Sequence, residues 1–133
     1  MKKGIILAIL IGIINACTKD NKENTSNDEF FGKWKLVAQL VDPGDGSGTF
    51  QDITSNKIIE FKANKTILSN RDICHMLSTK DSTTHATYNN KHEIISSSCS
   101  NQIWNPSFLL KDNDLIISYP CIEACKEKYT RTQ

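Results

Sequence analysis

Lys33-Trp34-Lys35-Leu36-Val37-Ala38-Gln39-Leu40-Val41 is the stretch on which the reading of the fold turns. Trp34, Leu36, Ala38 and Leu40 recur with a period of two, which places them on one face of an extended strand. Towards the C-terminus the same kind of short run repeats around turn residues. Lys57 to Phe61 and Thr66 to Ser69 flank Ala63-Asn64-Lys65; Thr84 to Tyr88 and His92 to Ser96 flank Asn89-Asn90-Lys91; Ser107 to Leu110 and Asp114 to Tyr119 flank Lys111-Asp112-Asn113. Asn and Asp tolerate left-handed backbone, so each link reads as a hairpin. A last run, Glu127 to Thr132, closes the chain.

Consecutive hairpins make an antiparallel meander, because parallel neighbours need crossover helices and no amphipathic helical period is present. About eight strands sharing the residues from Phe30 onward receive about 13 each with their turns, enough for a small barrel without exposed edges. The expected fold is therefore all-β, a small antiparallel up-and-down β-barrel, with a β-sandwich holding Trp34 in its core as the alternative. One link breaks the rhythm. The segment from Asp42 to Asn56, DPGDGSGTFQDITSN, is far longer than a hairpin needs, and long ordered loops commonly serve as lids or contact surfaces.

The other direction leads to the N-terminus. Residues 1 to 16 carry Lys2 and Lys3, an apolar run from Gly4 to Ile14, and Ala16 just before Cys17. Such a pattern is a secretion signal, and its apolar run is shorter than the roughly 20 residues of a membrane-spanning helix. Ile14-Asn15-Ala16-Cys17 resembles the lipobox of bacterial lipoproteins. The resemblance implies cleavage before Cys17, lipidation of its thiol with acylation of the new amino terminus, and a firm membrane anchor through several acyl chains. Thr18 in place of Asp implies sorting to the outer membrane rather than the inner. Residues 17 to 29 include TKDNKENTSNDE, with four acids, two lysines and no aliphatic or aromatic residue, and read as a solvated tether. The folded domain is expected from residue 30 to residue 133.

Gly32-Lys33-Trp34 at the start of the first strand and Tyr129-Thr130-Arg131 in the last are similar to the signature of the lipocalins, in the form found in small bacterial lipoproteins. The resemblance implies that Gly32, Trp34 and Arg131 close the barrel floor, with the guanidinium over the indole face, an attraction of roughly 0.5–2 kcal/mol. It also implies a binding site at the open end. Phe50, Phe61, Tyr88 and Phe108 are candidates for its lining, although each taken singly reads as core.

With Cys17 assigned to lipid, the five cysteines leave an even set, Cys74, Cys99, Cys121 and Cys125. An exported domain sits in an oxidising compartment, so these are expected in disulfides. Three pairings exist; Cys121 with Cys125 and Cys74 with Cys99 is favoured, and crossed pairs pinning the final segment are the alternative. The mixed set Cys74, His75, His85, His92 and Cys99 lacks the paired spacing of structural zinc sites, so no metal or other cofactor is expected. No nucleophile elbow links a serine to a histidine and an acid, so no enzyme is expected either. His85 and His92 read as solvent-facing around a hairpin. Asp81-Ser82-Thr83 resembles a bacterial O-glycosylation acceptor, a reading a polar loop explains equally well.

Sixteen basic against fifteen acidic residues, interleaved along the chain, exclude nucleic acid as a partner. The expectation is a monomeric, lipid-anchored envelope protein whose barrel binds a small hydrophobic or amphipathic molecule. The rival is a barrel filled by its own side chains that offers its loops to a protein or glycan.

Overall fold

The computed structural model describes residues 28–78 and 80–132. The signal segment, Cys17 and most of the tether lie outside these residues. The nine strands are β1 (Gly32–Val41), β2 (Gln51–Asp52), β3 (Ile58–Phe61), β4 (Thr66–Ser69), β5 (Thr84–Tyr88), β6 (Ile94–Ile95), β7 (Ser107–Lys111), β8 (Asp114–Tyr119) and β9 (Cys125–Arg131). Helical structure among the described residues is confined to two 3-10 turns, Asp28–Phe30 and Ser97–Cys99.

All pairings are antiparallel, and the strand order is β6-β5-β4-β3-β1-β9-β8-β7, with β2 off this path on β1. Hairpin neighbours follow one another, and the first strand lies against the last. Across the remaining seam, Ile94 N donates to Pro106 O at 2.7 Å, Phe108 N donates to His92 O at 3.0 Å, and Glu93 bridges Ser107. The sheet thus curls into a nearly closed small antiparallel barrel. The ninth strand, beyond the eight expected, is the two-residue β2.

The two ends differ in kind. Tight turns join β3 to β4, β5 to β6 and β7 to β8 at the end where the described chain begins, with Lys65, His92, Asp112 and Asn113 at positive φ. The opposite end carries the long connections: residues 42–50, 70–83, 96–106 and 120–124. Cys74–Cys99 ties two of these connections together, and Cys121–Cys125 staples another to the start of β9. The favoured pairing is the one present.

The period-two reading of β1 holds only to Leu36. There Leu36 opposes Tyr129 while Ala38 opposes Lys128, so Val37 is an extra residue and a bulge. A bulge reverses the facing of everything after it. Gln39, paired with Glu127, turns inward, and Ala38 and Leu40 turn to the outer face of the barrel with Lys128 and Lys126, where Ala38 is nevertheless fully buried beside β2. The expectation that Trp34, Leu36, Ala38 and Leu40 share one face is corrected accordingly.

Inside, Phe30, Trp34, Leu36, Ile59, Phe61, Ile67, Leu115, Ile117 and Tyr129 form one continuous core, extended under the long loops by Ile73, Met76 and the Cys74–Cys99 bridge.

Candidate functional site

The floor of the barrel is built by its two chain ends. Trp34 and Arg131 are direct partners in the β1–β9 register. The indole is 1% exposed, its Nε1 donates to Phe30 O at 2.8 Å, and the guanidinium carbon stands 4.3 Å from the indole ring centre. Arg131 also donates to the carbonyl of Phe31 and, at 2.5 Å, to that of Glu29, which fastens the opening 3-10 turn to the last strand. Gly32 takes φ +116°, and a β-carbon there would meet the Arg131 guanidinium at 3.0 Å. The glycine of the Gly-x-Trp pattern is therefore required twice, by backbone conformation and by crowding.

Three of the four candidate lining residues come together, but against one another. Phe61 and Phe108 have ring centres 4.8 Å apart, Tyr88 and Phe108 5.3 Å, and Phe30 and Phe108 5.0 Å, mostly edge to face. His92 stacks on Phe108 at 5.1 Å, so it caps this cluster where a solvent-facing ring was expected, while His85 is exposed. Aromatic pairs at these separations fill the space between them. At this level the barrel is plugged by its own side chains.

Phe50 lies elsewhere. Residues 51 and 52 pair with Gln39 and Ala38, and Asp52 shares the outward row of Ala38 and Lys128. Two positions earlier, Phe50 falls on that same outer face, half-buried, with Lys128 Nζ 5.3 Å from its ring centre. Its assignment to an interior lining is corrected: the bulge at Val37 sets this stretch facing outward.

Above the aromatic plug sits a polar cluster. Glu127 is fully buried and Lys57 nearly so, with Lys57 Nζ 2.9 Å from Glu127 Oε2. The hydroxyls of Tyr119 and Tyr129 donate to the same oxygen, and Gln39 Nε2 donates to Oε1 at 3.1 Å. Burial pushes both phenols well above their ordinary value, and the Glu127 charge pushes the same way, with each phenol also affecting the other. They remain neutral donors. A cleft of about 190 Å³ between residues 53–55 and 76–78 leads to this cluster, with Gln39, Lys57 and Glu127 at its base. Four donors occupy the carboxylate, which ties β1, β8, β9 and the approach to β3 together. Sequence reading passed over Gln39, Lys57, Tyr119 and Glu127 because an isolated Glu or Lys in a strand reads as an outward residue. The single signal was the alternation of Glu127 with Tyr129.

The long-loop end presents the remaining candidate surface. Two adjoining depressions, of about 280 Å³ and 220 Å³, share His75, Gln102, Pro120 and Cys121. Around them Leu77, Ile103, Trp104 and Ile122 are exposed, Ile103 by 89% and Ile122 fully. Both disulfides border the depressions, so the walls are held by covalent bonds. The loop from Asp42 does not cover them as a lid. It folds on itself around the Asp42 carboxylate, which accepts from Gly44 N at 2.7 Å, Gly46 N at 3.0 Å and Gly48 N at 2.8 Å. Asp42 N in turn donates to Ala124 O at 2.9 Å, docking the loop beside the Cys121–Cys125 staple.

The fold thus defines a small antiparallel β-barrel with a sealed floor, an occupied interior and a disulfide-braced loop end. The chain matches none of the known protein families, curated proteins or solved structures with which it was compared.

Proposed function

We propose that the protein is a lipid-anchored lipoprotein of the bacterial envelope, lipocalin-like in descent, that works as an interaction module through its loop end. The observation that carries this reading is the mutual packing of Phe30, Phe61, Tyr88 and Phe108, which occupies the space an internal ligand would need. Gly32, Trp34 and Arg131 support the lipocalin resemblance, and Ile14-Asn15-Ala16-Cys17 supports the anchor. The described chain begins at the floor, and β1, with 10 residues, spans about 33 Å from floor to loops. An anchored barrel therefore holds its apolar loop residues away from the point of attachment. Exposed apolar clusters on an otherwise polar surface mark contact sites.

The test is site-specific photocrosslinking in living cells. A crosslinker at Ile103 is expected to yield discrete adducts with envelope components, and one at His85, on the outer barrel wall, is expected to yield none. Cys17→Ser is expected to release the protein from membranes and to abolish fatty-acid labelling. Equal adducts from both sites, or stoichiometric uptake of a fluorescent fatty acid into the barrel, would replace this reading with that of a carrier for a small hydrophobic molecule.

A further inference from the structure

The loop-end cleft carries more information than its exposure. Its wider depression, about 280 Å³, is lined by His75, Asn101, Gln102, Trp104 and neighbouring apolar residues, with no Lys, Arg, Asp or Glu among them. Such a lining offers no ionic contact to an anionic headgroup or a charged peptide. Trp104, 54% exposed, presents an aromatic surface at the rim. Gln102 is fixed by donating its Nε2 hydrogen to Cys74 O, and its Oε1, buried from solvent, has no hydrogen-bond partner. An enclosed acceptor without a partner is unfavourable, so a small turn of the Gln102 side chain that brings Oε1 to the cleft surface and to a ligand donor is favoured. His75 Nδ1 lies 3.0 Å from the Asp72 carboxylate. That contact orients the imidazole, a ring that lines the same cleft.

We propose that this cleft binds one ring of a neutral sugar, its C–H face on Trp104 and its hydroxyls meeting the polar side chains of Gln102 and His75. The proposal deepens the loop-end reading above and rests on it. Size agrees: about 280 Å³ lies just under the roughly 300–1,000 Å³ of drug-sized pockets, room for a ring but not a lipid chain. The polar tether offers no apolar side chain to occupy the site. The walls are pre-set by Cys74–Cys99 and Cys121–Cys125, so little loop ordering opposes binding.

The experiment titrates the full chain, held in a polyoxyethylene detergent without sugar headgroups, with neutral tetrasaccharides built of glucose, galactose, mannose or N-acetylglucosamine. Trp34 is buried in the floor, so a change in tryptophan emission reports Trp104. A saturable blue shift with at least one sugar is expected, weakened about tenfold or more by Trp104→Ala, less by Trp104→Phe, and substantially by Gln102→Leu. Sugar binding indifferent to Trp104→Ala overturns the proposal, as does silence of the whole panel. Should the panel be silent while Ile103 crosslinks persist and depend on Trp104, the sugar assignment alone falls and the partner is a protein surface. If those crosslinks are absent too, the loop-end reading falls with it.

Discussion

Glu127 shows what one buried charge requires. Its two oxygens receive Lys57, Tyr119, Tyr129 and Gln39, drawn from β1, β8, β9 and the approach to β3. Removing one member of a buried ion pair strands the other without water, at a cost of about 3–5 kcal/mol. Glu127→Ala is therefore expected to lower unfolding free energy by about that much in urea titration with the disulfides intact; a loss under about 1 kcal/mol would mean that Lys57 reaches solvent. Tyr88 is the contrasting case. Its hydroxyl is buried in the aromatic plug without a partner, and burial pushes its ionisation to higher pH. Removing an unpaired buried hydroxyl is nearly neutral or favourable. In the same titration Tyr88→Phe is expected to leave stability unchanged or raise it by up to about 1 kcal/mol.

At the scale of elements, the segment after β1 is ordered by a side chain. Backbone hydrogen bonds from Gly44, Gly48 and Gly46, in that order of strength, hold Asp42 below its ordinary value of 3.8. The folded value lies under the unfolded one, so the stabilisation is complete above the unfolded value and is lost as pH falls through the folded one. The amide resonances of Gly44 and Gly48 are accordingly expected to titrate with a midpoint below 3.8, a midpoint at or above it counting against the arrangement. Gly48 is pinned by space: an added β-carbon would lie 2.7 Å from Asp42 Oδ2 and 2.8 Å from Asp42 Cα. Gly48→Ala should thus displace the loop and perturb those same resonances. Asp72 is held in a comparable way. Burial raises it, but the Cys74 amide and His75 outweigh that and keep it ionised beside the cleft.

Across the whole molecule, stability depends on the meeting of the first and last strands. β1 and β9 share seven registered residue pairs, and the Trp34–Arg131 pair closes their floor end. Trp34→Ala removes the indole, the partner of the guanidinium and the donor to Phe30 O together. A loss of about 3–5 kcal/mol is expected by denaturation, as for aromatic truncations in cores. A loss below about 1 kcal/mol would mean that the floor is held without it.

Much of this architecture could be read locally. The turn residues near 63–65, 89–91 and 111–113 and the run through Trp34 each express preferences of a few neighbouring residues, and those preferences determined strands, hairpins and antiparallel order, whereas the Gly32, Trp34 and Arg131 pattern was legible only as a resemblance. The cysteine pairing was narrowed to three alternatives by number alone. Other features arise from contacts between residues far apart in the chain. The bulge at Val37, where β1 lies between β9 and β2, turns Gln39 towards Glu127 and sets the row that carries Phe50 away from the interior. Whether the barrel is hollow was decided by how Phe30, Phe61, Tyr88, His92 and Phe108 converge from four places in the chain, since packing depends on three-dimensional proximity that no local period encodes.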